Sequence, residues 1–301
     1  MAHVHIVHTT EYRYAQPVGL TRHRLMVRPQ DSHDLRLHEA TLIVDPMPAT
    51  THWAHDVFGN SICLLEWPAE LRTDKLRIVS TLDLTHYPAG PGLPRSTLDP
   101  AAEIFPFSYA ADEIPDIGRL TERQTADPER QVDAWARHFM AGEGEVRTLA
   151  MLENMTHSIK ADFTYSAREA EGTQLPAETL ELRSGTCRDF ALLMMEAVRS
   201  LGLAARFVTG YLYDSNANSM QGGGATHAWC SIYLPGAGWV EYDPTNGLVA
   251  GTNLIRVGVA RSPQQAVPIA GGFVGGKGDS LGLTVDVSVR ATPDEVISQA
   301  A

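Results

Sequence analysis

Three short stretches bring together residue types able to do thiol chemistry. Ser184-Gly185-Thr186-Cys187-Arg188-Asp189-Phe190 holds a cysteine. Thr226-His227-Ala228-Trp229 holds a histidine, and Gly238-Trp239-Val240-Glu241-Tyr242-Asp243-Pro244-Thr245 an aspartate. A nucleophile, a base and a carboxylate that orients the base form the set that readies a thiol to attack a carbonyl. Singly, each residue has a plainer use: a small buried thiol, a surface-strand imidazole, a turn carboxylate at a strand end. What favours chemistry is their joint placement, which depends on the elements that carry them.

After Gly185 the apolar residues Phe190, Ala191, Leu193, Met194, Ala197, Val198 and Leu201 recur at three- and four-residue steps, the pattern of a helix with one buried face. Thr186 stands at the N-cap position and Gly202 where such a helix would stop. Cys187 therefore falls in the first turn, where unpaired N–H groups and the helix dipole favour a thiolate and can supply part of an oxyanion hole. From Ala225 to Leu234 the chain alternates, with Ala228, Cys230, Ile232 and Leu234 on the apolar face. His227, Trp229, Ser231 and Tyr233 share the other, so His227 is expected to look into a cleft or solvent.

Pro235-Gly236-Ala237-Gly238 reads as a turn and Trp239 to Tyr242 as the returning strand. A four-residue loop would put Asp243 on the face opposite His227. A three-residue loop or glycine bulge pairs Ile232 with Val240 and Trp229 with Asp243. Only this register gathers Cys230, Ile232, Val240 and Tyr242 on one apolar face, so burial selects it. Asp243 then lies diagonal to His227 on the same side, and Pro244 ends the strand.

The Gly-Thr-Cys-Arg-Asp-Phe-Ala motif at the cysteine is followed by Ala204-Ala205-Arg206-Phe207-Val208-Thr209-Gly210-Tyr211, then Thr-His-Ala-Trp, then Gly-Trp-x-Glu-Tyr-Asp-Pro-Thr-Asn. Together they resemble the bacterial transglutaminase-like superfamily, specifically over roughly residues 160 to 250. The resemblance implies a papain-like thiol fold, with nucleophile, base and orienting acid at Cys187, His227 and Asp243. It extends loosely to a β-rich N-terminal domain. One departure is Ser262, where similar sequences tend to carry an acidic residue.

The composition sets outer bounds. A chain of 301 residues can hold two domains or one large one. A net charge of −12 and no Lys/Arg-rich run argue against nucleic acid or an anionic membrane as partner. The N-terminus lacks the basic start and apolar run of a signal peptide, and nothing nears eighteen consecutive apolar residues. Cys63, Cys187 and Cys230 are too few and scattered for a disulfide framework or a metal site. A cytoplasmic location is therefore expected, where a thiol stays reduced.

The sequence predicts an α+β chain. Residues 1–86 read as a β-sandwich: strands Val4 to Tyr14, Arg22 to Val27, Leu35 to Val44, Trp53 to Leu65 with a bend at Phe58-Gly59-Asn60, and Leu76 to Leu84. His3, His5 and His8 are read there as surface-strand histidines, since no carboxylate or cysteine joins them at ligand spacing. Residues 87–117 are proline-rich and read as a linker wrapping the surface. Residues 118–291 are the catalytic domain, a helix carrying the cysteine packed on an antiparallel sheet. It opens with helices at Glu129 to Phe139, Glu145 to Ile159 and Glu178 to Arg183. Gln221-Gly222-Gly223-Gly224 is read as a flap beside His227. Strands at Leu254 to Ala260 and Leu283 to Arg290 follow, the latter closing the edge of the catalytic sheet, and residues 292–301 form a tail.

The chemistry expected is attack of Cys187 on an amide or ester carbonyl, with a thioester intermediate, His227 moving the proton and Asp243 fixing its tautomer. The Cys187 N–H would hold the oxyanion with a second donor, for which Gln174, Tyr165 and Trp229 are candidates. No cofactor is called for. The substrate is read as a peptide or protein, hydrolysed at a peptide or isopeptide bond. Transfer to an amine is the alternative enzyme reading. A non-catalytic scaffold is the reading from another class.

Overall fold

Alternation in the N-terminal third becomes two facing sheets. The computed structural model describes residues 1–88, 97–141, 144–166, 172–213, 226–276 and 278–293. In the first strand, Ala2–Leu20, Val4, Ile6, His8 and Thr10 point inward, while the residues between them face out. That strand pairs antiparallel with Thr73–His86, which in turn pairs with Leu35–Asp45. The opposing sheet orders Ile269–Ala270, His23–Arg28, Ser61–Glu66 and Thr50–His55. Leu25, Cys63, Leu65, Leu76 and Ile78 fill the space between the two.

His8 corrects the reading of the N-terminal histidines. His3 and His5 lie on the outer face and approach Asp83 at 2.9 and 3.7 Å. His8 is three residues past His5, so the two-residue period of a strand turns it inward. It is buried, with Nδ1 2.9 Å from the Tyr211 hydroxyl and Nε2 3.1 Å from Thr10 Oγ1. His86 makes the matching contact with the Tyr213 hydroxyl at 3.0 Å. Tyr211 and Tyr213 extend from the C-terminal half, and with Ile255 and Val257 they share one core with Val4, Ile6, Leu82 and Leu84 of the sandwich.

In the C-terminal half the order across the sheet is Leu248–Val249, Gly238–Asp243, His227–Leu234, Ala205–Leu212 and Leu254–Ala260. Every neighbouring pair is antiparallel. The helix Cys187–Ser200 lies across one face and buries Phe190, Leu193, Met194 and Val198 against Phe207, Ala228, Cys230 and Ile232. Gly202 follows with φ +87°, the left-handed stop that glycine provides. Helices Gln131–His138, Thr148–Asp162 and Pro176–Leu182 complete this core.

Two further expectations are revised. Part of the proline-rich stretch is structured: Ile104–Phe105 pairs with Val146–Arg147, and Ile114–Thr121 is a helix. The reason is burial, because Leu98 and Phe105 insert into the core beneath the helix Cys187–Ser200 and anchor the chain between its prolines. The last strand, Ser280–Pro293, does not edge the catalytic sheet. It crosses to the sandwich and pairs with the first strand from Ala2 to Tyr14. The Gly222–Gly224 stretch lies outside the described residues. Among the described residues, no helix is long and apolar enough to cross a membrane.

Candidate active site

The cysteine sits at the mouth of a helix whose entry is tightly specified. Thr186 is the N-cap, with extended backbone, and Cys187 opens the first turn. Asp189, fully buried, accepts hydrogen bonds from the Thr186 N–H at 2.8 Å, the Thr186 hydroxyl at 2.9 Å and the Gln174 N–H at 2.6 Å. One carboxylate thus ties the loop ahead of Cys187 to the helix start and complements the positive end of the dipole. The next residue, Arg188, donates to the Pro263 carbonyl at 2.7 Å and stacks its guanidinium 4.9 Å from the Phe207 ring. Cys187 is 7% exposed and forms no disulfide.

The hairpin adopts the register that burial favours: Ile232 faces Val240, Cys230 faces Tyr242, and Leu234 meets Gly238 across a three-residue loop. His227 and Asp243 consequently share a face. His227 Nε2 lies 2.8 Å from Asp243 Oδ2, and both side chains are wholly shielded from solvent. Asp243 also accepts from the Thr245 N–H at 3.0 Å and from Asn246 Nδ2 at 2.8 Å. Burial alone would push the Asp243 carboxyl up, but His227 and the Asn246 donors outweigh it and hold it below the usual carboxylate range.

The same balance acts on His227 with opposite sign. Burial works against the imidazolium, yet the Asp243 carboxylate, with help from the Cys187 sulfur, raises the ring to about 10. With Nε2 occupied by Asp243, the ring presents Nδ1 to the sulfur side. Nδ1 is buried and meets no hydrogen-bond partner among the described residues, the Cys187 sulfur included, although the sulfur is near enough to raise the ring. Of the expectation that His227 looks into a cleft or solvent, the solvent-facing alternative is corrected: it is 1% exposed.

Trp229 forms the wall behind the ring, stacked with His227 at 5.9 Å between centroids and 28° between planes. Its indole N–H lies near the Glu241 carboxylate, whose pKa burial raises and Arg256 and Trp229 only partly offset, without meeting the geometry of a full hydrogen bond. Trp229 therefore shields the imidazole. The indole can lie so close because Gly210 is beneath it. A Cβ there would come within 2.8 Å of the Trp229 ring and 2.0 Å of the Ile255 carbonyl oxygen. Gly210→Ala is expected to cost about 2–3 kcal/mol as overpacking against a backbone that cannot yield. Thermal unfolding of the variant checks this, with no change in melting temperature as the contrary result.

The other two donor candidates also separate. Gln174 is buried, and its Nε2 already donates to Thr179 Oγ1 at 3.2 Å and to the Ser184 carbonyl at 3.1 Å. It braces the loop ahead of Cys187 and has no amide hydrogen left for a substrate. Tyr165 lies in a two-residue parallel pairing opposite Gly185, two residues from the sulfur-bearing position. Burial, then the neighbouring Cys187 and Asp189, push its phenol to about 12, so it keeps its proton at neutral pH and can donate. The residues that sequence reasoning left without a role are Asp189 and Asn246. Thr186-x-x-Asp189 is a capping pattern and was there to be read. Asn246 had only its position in the Asp-Pro-Thr-Asn run.

The wider comparisons agree with this architecture. Residues 4–85 match the family model for the bacterial transglutaminase-like N-terminal region, and residues 133–244 that for the transglutaminase-like superfamily. An uncharacterized protein of Mycobacterium tuberculosis is 31% identical over 300 residues, covering 96% of this chain and 92% of that protein. A crystal structure of a candidate cysteine protease from Cytophaga hutchinsonii has a TM-score of 0.68 at 19% identity, over 98% of this chain and 93% of that one, and shows the same fold. A stretch of 139 residues is 29% identical to the protein-glutamine gamma-glutamyltransferase of Pseudomonas aeruginosa, covering 44% of this chain and 19% of that protein.

Proposed function

The chain belongs to the transglutaminase-like superfamily, and from that premise we propose that it is a thiol hydrolase acting on an amide bond of a peptide or protein. Cys187, His227 and Asp243 are its triad. The observation that carries this reading is the fully buried 2.8 Å contact between His227 and Asp243, on a ring that the Cys187 sulfur also helps to raise. A carboxylate costs several kcal/mol to bury, and a strand-end turn does not need one that is wholly enclosed.

In the proposed reaction the Cys187 sulfur attacks the carbonyl carbon, and the developing oxyanion accepts from the Cys187 backbone N–H and the Tyr165 hydroxyl. His227 gives its proton to the departing nitrogen as the C–N bond breaks, leaving a thioester on Cys187. A water then attacks the thioester carbonyl, losing its proton to His227, and the acid and free thiol are released. Asp243 holds the ring in one tautomer and balances the imidazolium charge. A reducing compartment such as the cytoplasm would keep Cys187 ready for this chemistry.

A second reading replaces the water with a primary amine, so that a new amide forms and no acid is released. The Pseudomonas aeruginosa relative, by its name, transfers a glutamyl group, and this favours keeping the reading open. Incubation with a peptide library, with and without added primary amine, followed by mass spectrometry separates the two. Free acid products that ignore the amine support hydrolysis; mass additions equal to the amine support transfer. No new product in either arm refutes both. Tyr165→Phe tests the oxyanion assignment: kcat is expected to fall about 100-fold with little change in KM. An unchanged kcat would remove Tyr165 from the mechanism.

A further inference from the structure

We infer that the chain forms a two-fold dimer in which the strand Ser280–Pro293 pairs antiparallel with the same strand of a second copy, centred on Ser288. This strand lies at the outer edge of its sheet: one side bonds to the first strand along its length, and among the described residues nothing pairs with the other. Such an edge offers a row of free N–H and C=O groups, a template for another strand.

Two independent features of the strand select its occupant. The first is charge. Asp286 and Arg290 are the only charged side chains between Ser280 and Pro293, and both are exposed on the outer face. Within the sheet each lies beside a residue that does not balance it: Asp286 faces Thr9, and Arg290 faces His5. They sit two residues either side of Ser288. In an antiparallel self-pairing about Ser288, Asp286 of each copy therefore stands directly opposite Arg290 of the other, giving two symmetric cross-strand ion pairs. No other self-pairing register places them opposite each other.

The second feature is an apolar overhang on the inner face. Leu283, Val285, Val287 and Val289 alternate there, opposite Tyr12, Thr10, His8 and Ile6 of the first strand. His8 and Thr10 are covered, and so is Val287, but Leu283 is 54% and Val285 42% exposed. Among the described residues the core thus leaves these two side chains uncovered. In the same register Val285 lies opposite Ala291 of the second copy, and Val287 opposite Val289. The pairing extends the inner face sideways and matches apolar with apolar. A C2 contact of this kind is self-complementary and closes, so it yields a dimer and not a fibre.

Light scattering after size exclusion is expected to give twice the 32.8 kDa chain mass. Asp286→Arg alone and Arg290→Asp alone each place like charges opposite one another twice per dimer, and should weaken association by about 10- to 30-fold. The double exchange, D286R with R290D, restores both pairs and should restore the dimer. Ser288→Cys gives a second readout that does not depend on affinity: residue 288 stands opposite itself, so mild oxidation should join the copies by a disulfide. Thr284→Cys, which would face Thr292, should not cross-link. A monomeric wild type at about 100 μM, a double exchange as weak as the singles, or cross-linking equal at positions 284 and 288 would each overturn the proposal.

Discussion

Cys187→Ala is expected to reduce kcat/KM on any peptide substrate by about 10⁴-fold or more, to the background left by binding and the oxyanion donors. The reason is that no other thiol can take its place. Cys63 and Cys230 are fully buried, and burial pushes both thiols up, Cys63 to about 11 and Cys230 further. His227→Ala should cost nearly as much, and the double variant no more than either single one, because the two side chains act as one unit. The measurement is initial rate by product formation, with circular dichroism confirming that the fold persists. Residual activity within tenfold of wild type in Cys187→Ala would remove the cysteine from the chemistry.

Asp243→Asn is expected to move the alkaline limit of activity. In the wild type His227 keeps its proton up to about 10, so the rate should hold through neutral pH and fall only as the ring loses the proton that the leaving nitrogen needs. Asparagine preserves a hydrogen-bond acceptor but removes the charge that opposes burial. The alkaline limb should then shift down by several pH units, with kcat/KM near pH 8 lower by about 10²- to 10³-fold.

The same substitution has a stability signature with a defined window. The raised folded pKa of His227, against its ordinary 6.5, stabilises fully below pH 6.5 and is lost as pH rises through about 10. The depressed Asp243 pKa stabilises above its ordinary 3.8 and is lost as pH falls through the lower folded value. Both describe one interaction, so the gap between wild type and variant should be widest from about pH 4 to 6.5, at roughly 3 kcal/mol. It should then narrow steadily toward pH 10. Urea titrations at a series of pH values test this, and a gap that does not vary with pH would contradict it.

Much of the site was legible because its parts obey local rules. The helix start follows from Thr186 and the apolar repeat after Phe190, and the hairpin register from the need to gather Ile232 and Val240 on one face. What local rules do not carry is how faces are covered. His227 occupies the polar face of its strand, so periodicity pointed it to a cleft or solvent, yet Trp229 and the Asp243 turn enclose it. Gln174 is a plausible donor by type and position; only the loop geometry shows its amide spent on Ser184 and Thr179. The last strand illustrates a longer-range limit. Its alternating valines announce a strand, but its pairing with residues nearly three hundred positions earlier has no local signal.

Alkylation of Cys187 by iodoacetamide across pH 5 to 9, mapped by mass spectrometry in wild type and His227→Ala, addresses the shared unit of sulfur and imidazole most directly. Preferential labelling of Cys187 over Cys63 and Cys230 in the wild type, lost in the variant, is the predicted outcome. Labelling of Cys187 with the same pH profile in both proteins would show that the histidine does not act on the sulfur.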